Sequence, residues 1–185
     1  MRNLILVFSL IFLISCKEEV QPKPIAYLGL VYPTKSYEKL KLKRPYSFQV
    51  LKNTTIINEA NNWLTIKYPD LKASIDITYR PINSNLKELL TESEKLVFKH
   101  TVKAEQIIPK DFANPKKRVF GSIYEITGNA ASQIQFHVTD STNNFIKGSL
   151  YFYAKPNYDS ILPAVSYIKE DILHLIETLE WQDPS

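Results

Sequence analysis

The feature that most constrains the fold is a series of three segments in the C-terminal half that alternate apolar and polar residues. They cover 118–127, 132–139 and 145–153. Alternation with a period of two is typical of β-strands, because successive side chains point to opposite faces of a sheet. The connections between the segments, 128–131 and 140–144, are short. We therefore predict that these strands are antiparallel neighbours.

Other segments of the chain also predict strands. Aromatic and β-branched residues favour strands at 47–50, 63–68 and 73–80, and a short strand at 104–108 before Pro109. Asparagines between the first two segments indicate turns. The clean alternation in 73–80 predicts a strand with one solvent-exposed face.

Two segments have the periodicity of helices. Leucine and valine residues at helical spacing predict a first helix that begins at Asn83 or Ser84 and ends near 100–103. A wide apolar stripe predicts a last helix that begins at Asp159 or Ser160. The sequence thus predicts an α+β fold, in which an antiparallel β-sheet is packed by two long α-helices.

The first sixteen residues predict a lipid anchor. Arg2 gives the N-terminus a positive charge. The apolar run 4–14 is too short for a transmembrane helix, which needs about 20 residues. Leu13, Ile14 and Ser15 directly precede Cys16, the only cysteine of the chain. This arrangement resembles the bacterial lipobox, in which the cysteine is acylated and becomes the new N-terminus. An ordinary signal peptide is the alternative.

These features divide the chain into three parts. We predict a lipoprotein signal peptide at 1–15, a lipidated tether at 16–24 and a single α+β domain at 25–185. Pro22 and Pro24 favour an extended tether.

Composition limits the class of partner. Removal of Arg2 with the signal lowers the formal net charge from +4 to +3, which is too mild to favour nucleic acid. Basic residues cluster in 39–44 and 116–118. Each cluster indicates a solvated edge or a contact with anionic lipid head groups, worth about 1 kcal/mol for each basic residue near the membrane surface.

The residues do not predict an enzyme. His100, His137 and His174 lack the spacing of metal ligands, so we predict no metal and no cofactor, and we give each a structural or surface role. Ser141, His137 and Asp140 form a weak Ser-His-Asp set. No Gly-x-Ser-x-Gly motif surrounds any serine, and residues of one hairpin seldom converge on a nucleophile.

Two polar loops between predicted strands are the candidate docking site for a partner protein. The loop 128–132 is nearly free of bulk, so another backbone could approach it, and 140–144 connects the next pair of strands. We expect both loops at one end of the sheet. The candidate docking residues are Asn129, Ala130, Ser132, Asp140, Ser141 and Thr142. The alternative is that both loops are only tight connections.

Five stretches of the chain resemble a known family. They are Tyr46-Ser47-Phe48, Lys99-His100-Thr101-Val102-Lys103-Ala104, Gly128-Asn129-Ala130-Ala131-Ser132, Gln135-Phe136-His137-Val138-Thr139-Asp140-Ser141-Thr142 and His174-Leu175-Ile176-Glu177-Thr178-Leu179-Glu180-Trp181. With the lipobox, they make the chain similar to the gliding motility lipoproteins of the GldD family of Bacteroidota.

The resemblance implies a non-catalytic lipoprotein of the cell envelope. It implies an acyl (palmitate-type) anchor, a periplasmic or outer-membrane location, and partners in the gliding motility and type IX secretion machinery. The order of elements also resembles the PsbP/Mog1-type sandwich, a fold used mainly for binding. Glu18 and Glu19 resemble an export signal to the outer leaflet in Bacteroidota lipoproteins, but a two-residue match favours the alternative, a merely polar tether.

Two short motifs resemble the O-glycosylation sites of exported Bacteroidota proteins. They predict glycans at Ser141 and Ser160. A glycan at Ser141 would block docking at the same hairpin, so the two predictions compete.

A second class of function is an envelope carbohydrate-binding module or hydrolase. Tyr151, Tyr153 and Tyr158 could stack on sugars if they are exposed. The same spacing is typical of an ordinary strand surface.

Overall fold

A computed structural model of the protein describes residues 32–99, 103–153 and 157–182. The elements are β1 (Tyr37–Lys39), β2 (Tyr46–Ser47), β3 (Gln49–Leu51), β4 (Thr55–Asn58), β5 (Leu64–Tyr68), β6 (Ala73–Pro81), α1 (Leu86–Phe98), β7 (Gln106–Asn114), β8 (Val119–Thr127), β9 (Ser132–Thr139), β10 (Asn144–Phe152), α2 (Tyr158–Thr178) and β11 (Glu180–Trp181). Single 3-10 turns occur at Ala60–Asn62 and Pro69–Leu71.

Seven strands form one antiparallel sheet in the order β4-β5-β6-β10-β9-β8-β7. The predicted antiparallel series is confirmed, because β8 pairs with β9 and β9 pairs with β10. β10 also pairs with β6 along its whole length, which joins the two halves of the sheet. Two small antiparallel pairs, β1 with β3 and β2 with β11, lie beside the main sheet.

Several predicted strand boundaries are wrong. The segment 47–50 is split between β2 and β3, and β4 occupies a region that the asparagines had assigned to turns. The strand predicted at 104–108 is β7, which continues through Pro109. Proline is tolerated there because β7 is the last strand of the sheet and bonds to a neighbour on one side only.

The α+β class is confirmed, but only one helix is long. α1 has 13 residues, close to the average for globular proteins, whereas α2 has 21. α2 begins one residue before the predicted start. α1 ends at Phe98, and residues 100–102, which include His100, lie outside the described residues.

α2 covers one face of the sheet with its apolar stripe. Ile168, Ile172 and Leu175 are buried against the inward side chains of the central strands. Burial of each such side chain contributes about 1.5–3 kcal/mol. Gly148 lies at the centre of this face, where an added Cβ would be 2.1 Å from the Phe136 ring. The glycine therefore leaves the space that the buried phenylalanine fills.

The opposite face of the sheet is covered by α1. The sequence predicted this helix but did not assign it to a face of the sheet. Val97 of α1 packs with Tyr124 and Ile126 of β8. Every residue of β9 is buried, including Gln135 and His137 on the polar face. The polar side of β9 is therefore not exposed to solvent. The solvent-exposed face predicted for 73–80 is present at the end of β6, where Arg80 is exposed.

His137 is buried and lies between aromatic rings. Its ring stacks on Phe145 with centroids 5.8 Å apart and lies 6.2 Å from Tyr124. Its Nδ1 atom has no hydrogen-bond partner among the described residues. Burial lowers the pKa of His137 below its usual value, and the Asp111 carboxylate only partly opposes this effect.

The N-terminal segment is fixed to α2 by a buried carboxylate. Asp171 accepts a hydrogen bond from the Tyr37 hydroxyl at 2.7 Å and pairs with the Lys35 ammonium at 2.9 Å. The ammonium also lies 4.1 Å from the centroid of the Tyr167 ring. We call these four residues the N-terminal clamp. They fix the point at which the chain enters the folded core.

The buried His137 predicts that acid destabilises the domain between about pH 7 and pH 5. The unfolded chain binds a proton near pH 6.5, whereas the folded chain binds it only at lower pH, so stability falls as pH falls. The slope contributed by this residue is at most about 1.4 kcal/mol per pH unit. Urea unfolding across this range measures it.

The matched variants are His137→Phe, which keeps an aromatic ring, and His174→Gln at a half-buried position. His137→Phe should remove most of the loss of unfolding free energy at low pH, and His174→Gln should retain this loss. An unchanged pH dependence in His137→Phe would contradict the assignment.

Candidate docking cleft at the Asp140 hairpin

The two predicted docking loops lie at opposite ends of the sheet. Both adjoin β9, one before Ser132 and one after Thr139. An eight-residue strand spans about 25 Å, so the loops cannot form one surface. The expectation that they share one end is wrong, because consecutive hairpins of an antiparallel sheet turn at alternate ends.

The first loop is used by the protein's own fold. Gly128 has a φ of +86°, and the backbone of Glu105 packs closely against its Cα. A Cβ added at Gly128 would lie 2.9 Å from the Glu105 backbone nitrogen. The side-chain oxygen of Asn129 accepts a hydrogen bond from the Tyr158 N–H at 3.0 Å, at the start of α2. The close backbone approach predicted for this loop is therefore made by the chain itself.

Two other candidate residues in this loop are inaccessible. Ala130 is buried with Val97 of α1. Ser132 is fully buried and donates a hydrogen bond to the Ile134 carbonyl at 3.1 Å. Of the three candidates here, only Asn129 is exposed.

Asp140 organises the second loop, residues 140–144, which we call the Asp140 hairpin. Its Oδ1 atom accepts hydrogen bonds from the N–H groups of Thr142, Asn143 and Asn144 at 2.8–2.9 Å. Its Oδ2 atom accepts one from the Asn144 amide at 2.8 Å. Burial alone would raise the pKa of Asp140, but these four donors together hold it below the usual value. The carboxylate is therefore directed into its own loop.

The other candidate residues of the hairpin are at the surface. Ser141 is exposed and has a φ of 66°, and Thr142 is exposed. The Thr142 hydroxyl accepts a hydrogen bond from Arg118 at 2.8 Å. Ser160 is half-buried in the first turn of α2. The O-glycosylation sites at Ser141 and Ser160 stay predictions.

The Ser141, His137 and Asp140 set is not assembled. The His137 Nδ1 atom has no partner among the described residues, whereas a catalytic histidine would be oriented by a carboxylate. Asp140 bonds to its own loop. The backbone N–H of its neighbour Ser141 donates a hydrogen bond to the Thr139 hydroxyl oxygen at 2.9 Å. Nothing in this geometry activates a serine.

Beside the Asp140 hairpin lies a cleft with a volume of about 760 Å³. It is formed by the hairpin, by the turn between β7 and β8, by the chain around β2, by the end of β6 and by β11. Its lining residues are Pro45, Tyr79, Pro81, Ile82, Asn83, Lys116, Lys117, Arg118, Asp140, Asn143, Asn144, Glu180, Trp181 and Gln182. We call it the basic cleft.

Three consecutive cations of the β7–β8 turn give the cleft its charge. Lys117 donates a hydrogen bond to the Glu177 carbonyl at 3.0 Å, near the C-terminus of α2, where a cation complements the helix dipole. Arg118 donates to the Asp140 carbonyl at 3.2 Å. The side chain of Lys116 has no hydrogen bond or ion pair within the described ranges.

Trp181 closes the cleft at the C-terminal strand. It pairs with Tyr46 in the β2–β11 ladder, and its indole N–H donates to the Arg118 carbonyl at 2.9 Å. The sequence pattern identified the Asp140 hairpin but missed residues 116–118 and Trp181 as parts of the same site. The available signal was the basic run itself, which we had assigned to a solvated edge or a lipid contact.

Other classes of site are not supported in the described part of the chain. No group of three or more His, Cys, Asp or Glu side chains is arranged to hold a metal ion there. Its helices are either too short or too polar to cross a bilayer. Tyr151, Tyr153 and Tyr158, the candidate sugar-stacking residues, do not line the basic cleft.

The described residues form an α+β domain with a cleft beside the Asp140 hairpin. The model of the gliding motility lipoprotein GldD family matches residues 17–181, and the chain belongs to this family. This result confirms the resemblance found in the sequence.

The other comparisons add little. A search of curated proteins finds no match. Among solved structures, the chain is similar to cyanobacterial PsbP (CyanoP) from Synechocystis sp. PCC 6803, with 8% identity and a TM-score of 0.49. The similarity covers 86% of this chain and 99% of that chain, and it is too weak to support a conclusion about function.

The hydrogen bonds of Asp140 predict that its removal destabilises the hairpin. Asp140→Ala leaves four donors without their acceptor, and we expect a loss of about 1–3 kcal/mol in the free energy of unfolding. Urea unfolding measures the loss. The control Ser141→Ala, at an exposed neighbour, should change stability by less than about 0.5 kcal/mol. Equal unfolding midpoints for the two variants would contradict this role.

Proposed function

We propose that the protein is a lipid-anchored, non-catalytic docking component of the gliding motility and type IX secretion machinery. The observation that carries the proposal is membership of the gliding motility lipoprotein family over residues 17–181. The match begins directly after Cys16, the residue that the lipobox predicts to be acylated. We propose a palmitate-type acyl anchor at this cysteine and a location at the periplasmic or outer-membrane face of the envelope.

The proposed anchor acts by confinement. A nine-residue tether at 16–24 would span at most about 30 Å when fully extended. A domain held this close to the membrane meets membrane-embedded partners at a high effective concentration without any new contact. Weak docking contacts are then sufficient for assembly. The N-terminal clamp supports this scheme, because it joins the chain that follows the tether firmly to α2.

The absence of catalysis is part of the proposal. The Ser141, His137 and Asp140 set is not assembled, and the Asp140 carboxylate is occupied by its own hairpin. The exposed candidates that remain for docking are Ser141 and Thr142 beside the basic cleft, with Asn129 at the far end of the sheet. We also propose that the domain is a PsbP/Mog1-type sandwich, because the late antiparallel strands are followed by a closing helix along the chain.

Replacement of the lipidated cysteine tests the anchor. Cys16→Ser should leave the fold intact and abolish assembly or gliding, because the domain is no longer confined to the membrane. Gliding is measured on a surface, and protein levels are measured in the same cells. The matched control Ser15→Ala keeps a small residue before the cysteine and should glide normally. Normal gliding of Cys16→Ser at normal protein levels would refute the anchoring role.

A further inference from the structure

We propose that the basic cleft binds an acidic peptide segment of a partner protein. Lys116, Lys117 and Arg118 would face the carboxylates of the segment, and Trp181 would contact its apolar side chains. The inference rests on the proposed docking function and specifies the chemistry of the partner.

The cleft has an excess of positive charge, because three cations and two carboxylates line it, and only a long-range attraction joins Glu180 to Lys117. Among the described residues, no carboxylate lies within ion-pair distance of the three cations, which bond only to carbonyl and hydroxyl oxygens or to nothing. The two acidic residues that line the cleft are already engaged. Asp140 bonds to its own hairpin, and Glu180 pairs with Lys39 at 2.9 Å.

The cations of the cleft are partly pre-positioned. The backbone of Arg118 has a φ of 53°, an unfavourable value for arginine that persists because its surroundings fix it. Its carbonyl accepts the Trp181 indole N–H, and its guanidinium bonds to Thr142 at 2.8 Å. Side chains held in this way lose less conformational entropy when a ligand binds.

The remaining lining residues fit a peptide better than a phosphate group. Pro45, Pro81, Ile82 and Trp181 give the cleft an apolar side, which a phosphate or lipid head group would not use. Asn83, Asn143 and Gln182 offer side-chain amides that can pair with peptide backbone groups. A volume of about 760 Å³ lies within the range of pockets that bury a ligand, whereas a membrane surface is contacted by a flat or convex patch.

Fluorescence of Trp181 in the full-length lipidated protein, purified in detergent micelles, tests the proposal. The chain has two tryptophans, so Trp63→Phe leaves Trp181 as the reporter. The probes are a short peptide that alternates glutamate with valine, and the same peptide with lysine in place of glutamate. We expect only the glutamate peptide to change the emission, with an apparent affinity that falls as salt is added.

Charge reversal supplies the matched comparison. Lys116→Glu combined with Lys117→Glu should weaken binding of the glutamate peptide by about tenfold or more, because attraction becomes repulsion. Lys52→Glu combined with Lys87→Glu makes the same change in net charge at two exposed lysines outside the cleft, and it should bind like the parent. Thermal unfolding of each variant shows whether the fold is retained.

Three results would overturn the proposal: equal responses to both peptides, no response to either, or equal losses in the two reversal variants. It is also overturned if phosphatidylglycerol vesicles or inorganic phosphate change Trp181 emission through the same lysines while the glutamate peptide does not. Because binding is measured on the purified chain, failure here leaves the anchoring proposal intact. Normal gliding of Cys16→Ser would likewise leave this proposal intact.

Discussion

The buried carboxylate of Asp171 determines how the N-terminal segment joins the rest of the protein. A charge buried in the core must be paired, and breaking such a pair commonly costs about 3–5 kcal/mol. The contacts with Asp171 therefore hold Lys35 and Tyr37 against α2. The same helix carries the apolar stripe that covers the sheet, and it ends directly before β11, which lines the basic cleft. One helix thus connects the proposed anchor, the core and the proposed docking surface.

Much of the fold follows from local pattern, but the second covered face does not. Alternation in the late strands was sufficient to predict β8, β9 and β10 as antiparallel neighbours. The polar residues of β9 also alternate, and a polar face normally indicates solvent. In the structure α1 covers this face, and Gln135 and His137 are buried under it. Which face a helix covers depends on long-range packing, and a period-two pattern carries no information about that.

The candidate site was only partly predictable for the same reason. Asp140 was identified from its position in a short polar loop, but its role is internal, as the acceptor for the hairpin's own N–H groups. The cations at 116–118 and Trp181 are 22 or more residues away from the hairpin in sequence. They meet Asp140 because β7, β8 and the end of α2 bring them to one end of the sheet. Sequence spacing alone does not reveal such convergence.

In the proposed function, an acylated cysteine holds an inert docking domain at the envelope. The most direct test is the intact mass of the protein purified from membranes, combined with fragmentation of its N-terminal peptide. We predict a chain that begins at Cys16 and carries fatty acyl groups on that residue. A chain that still begins at Met1, or one with a free thiol at Cys16, would contradict the account.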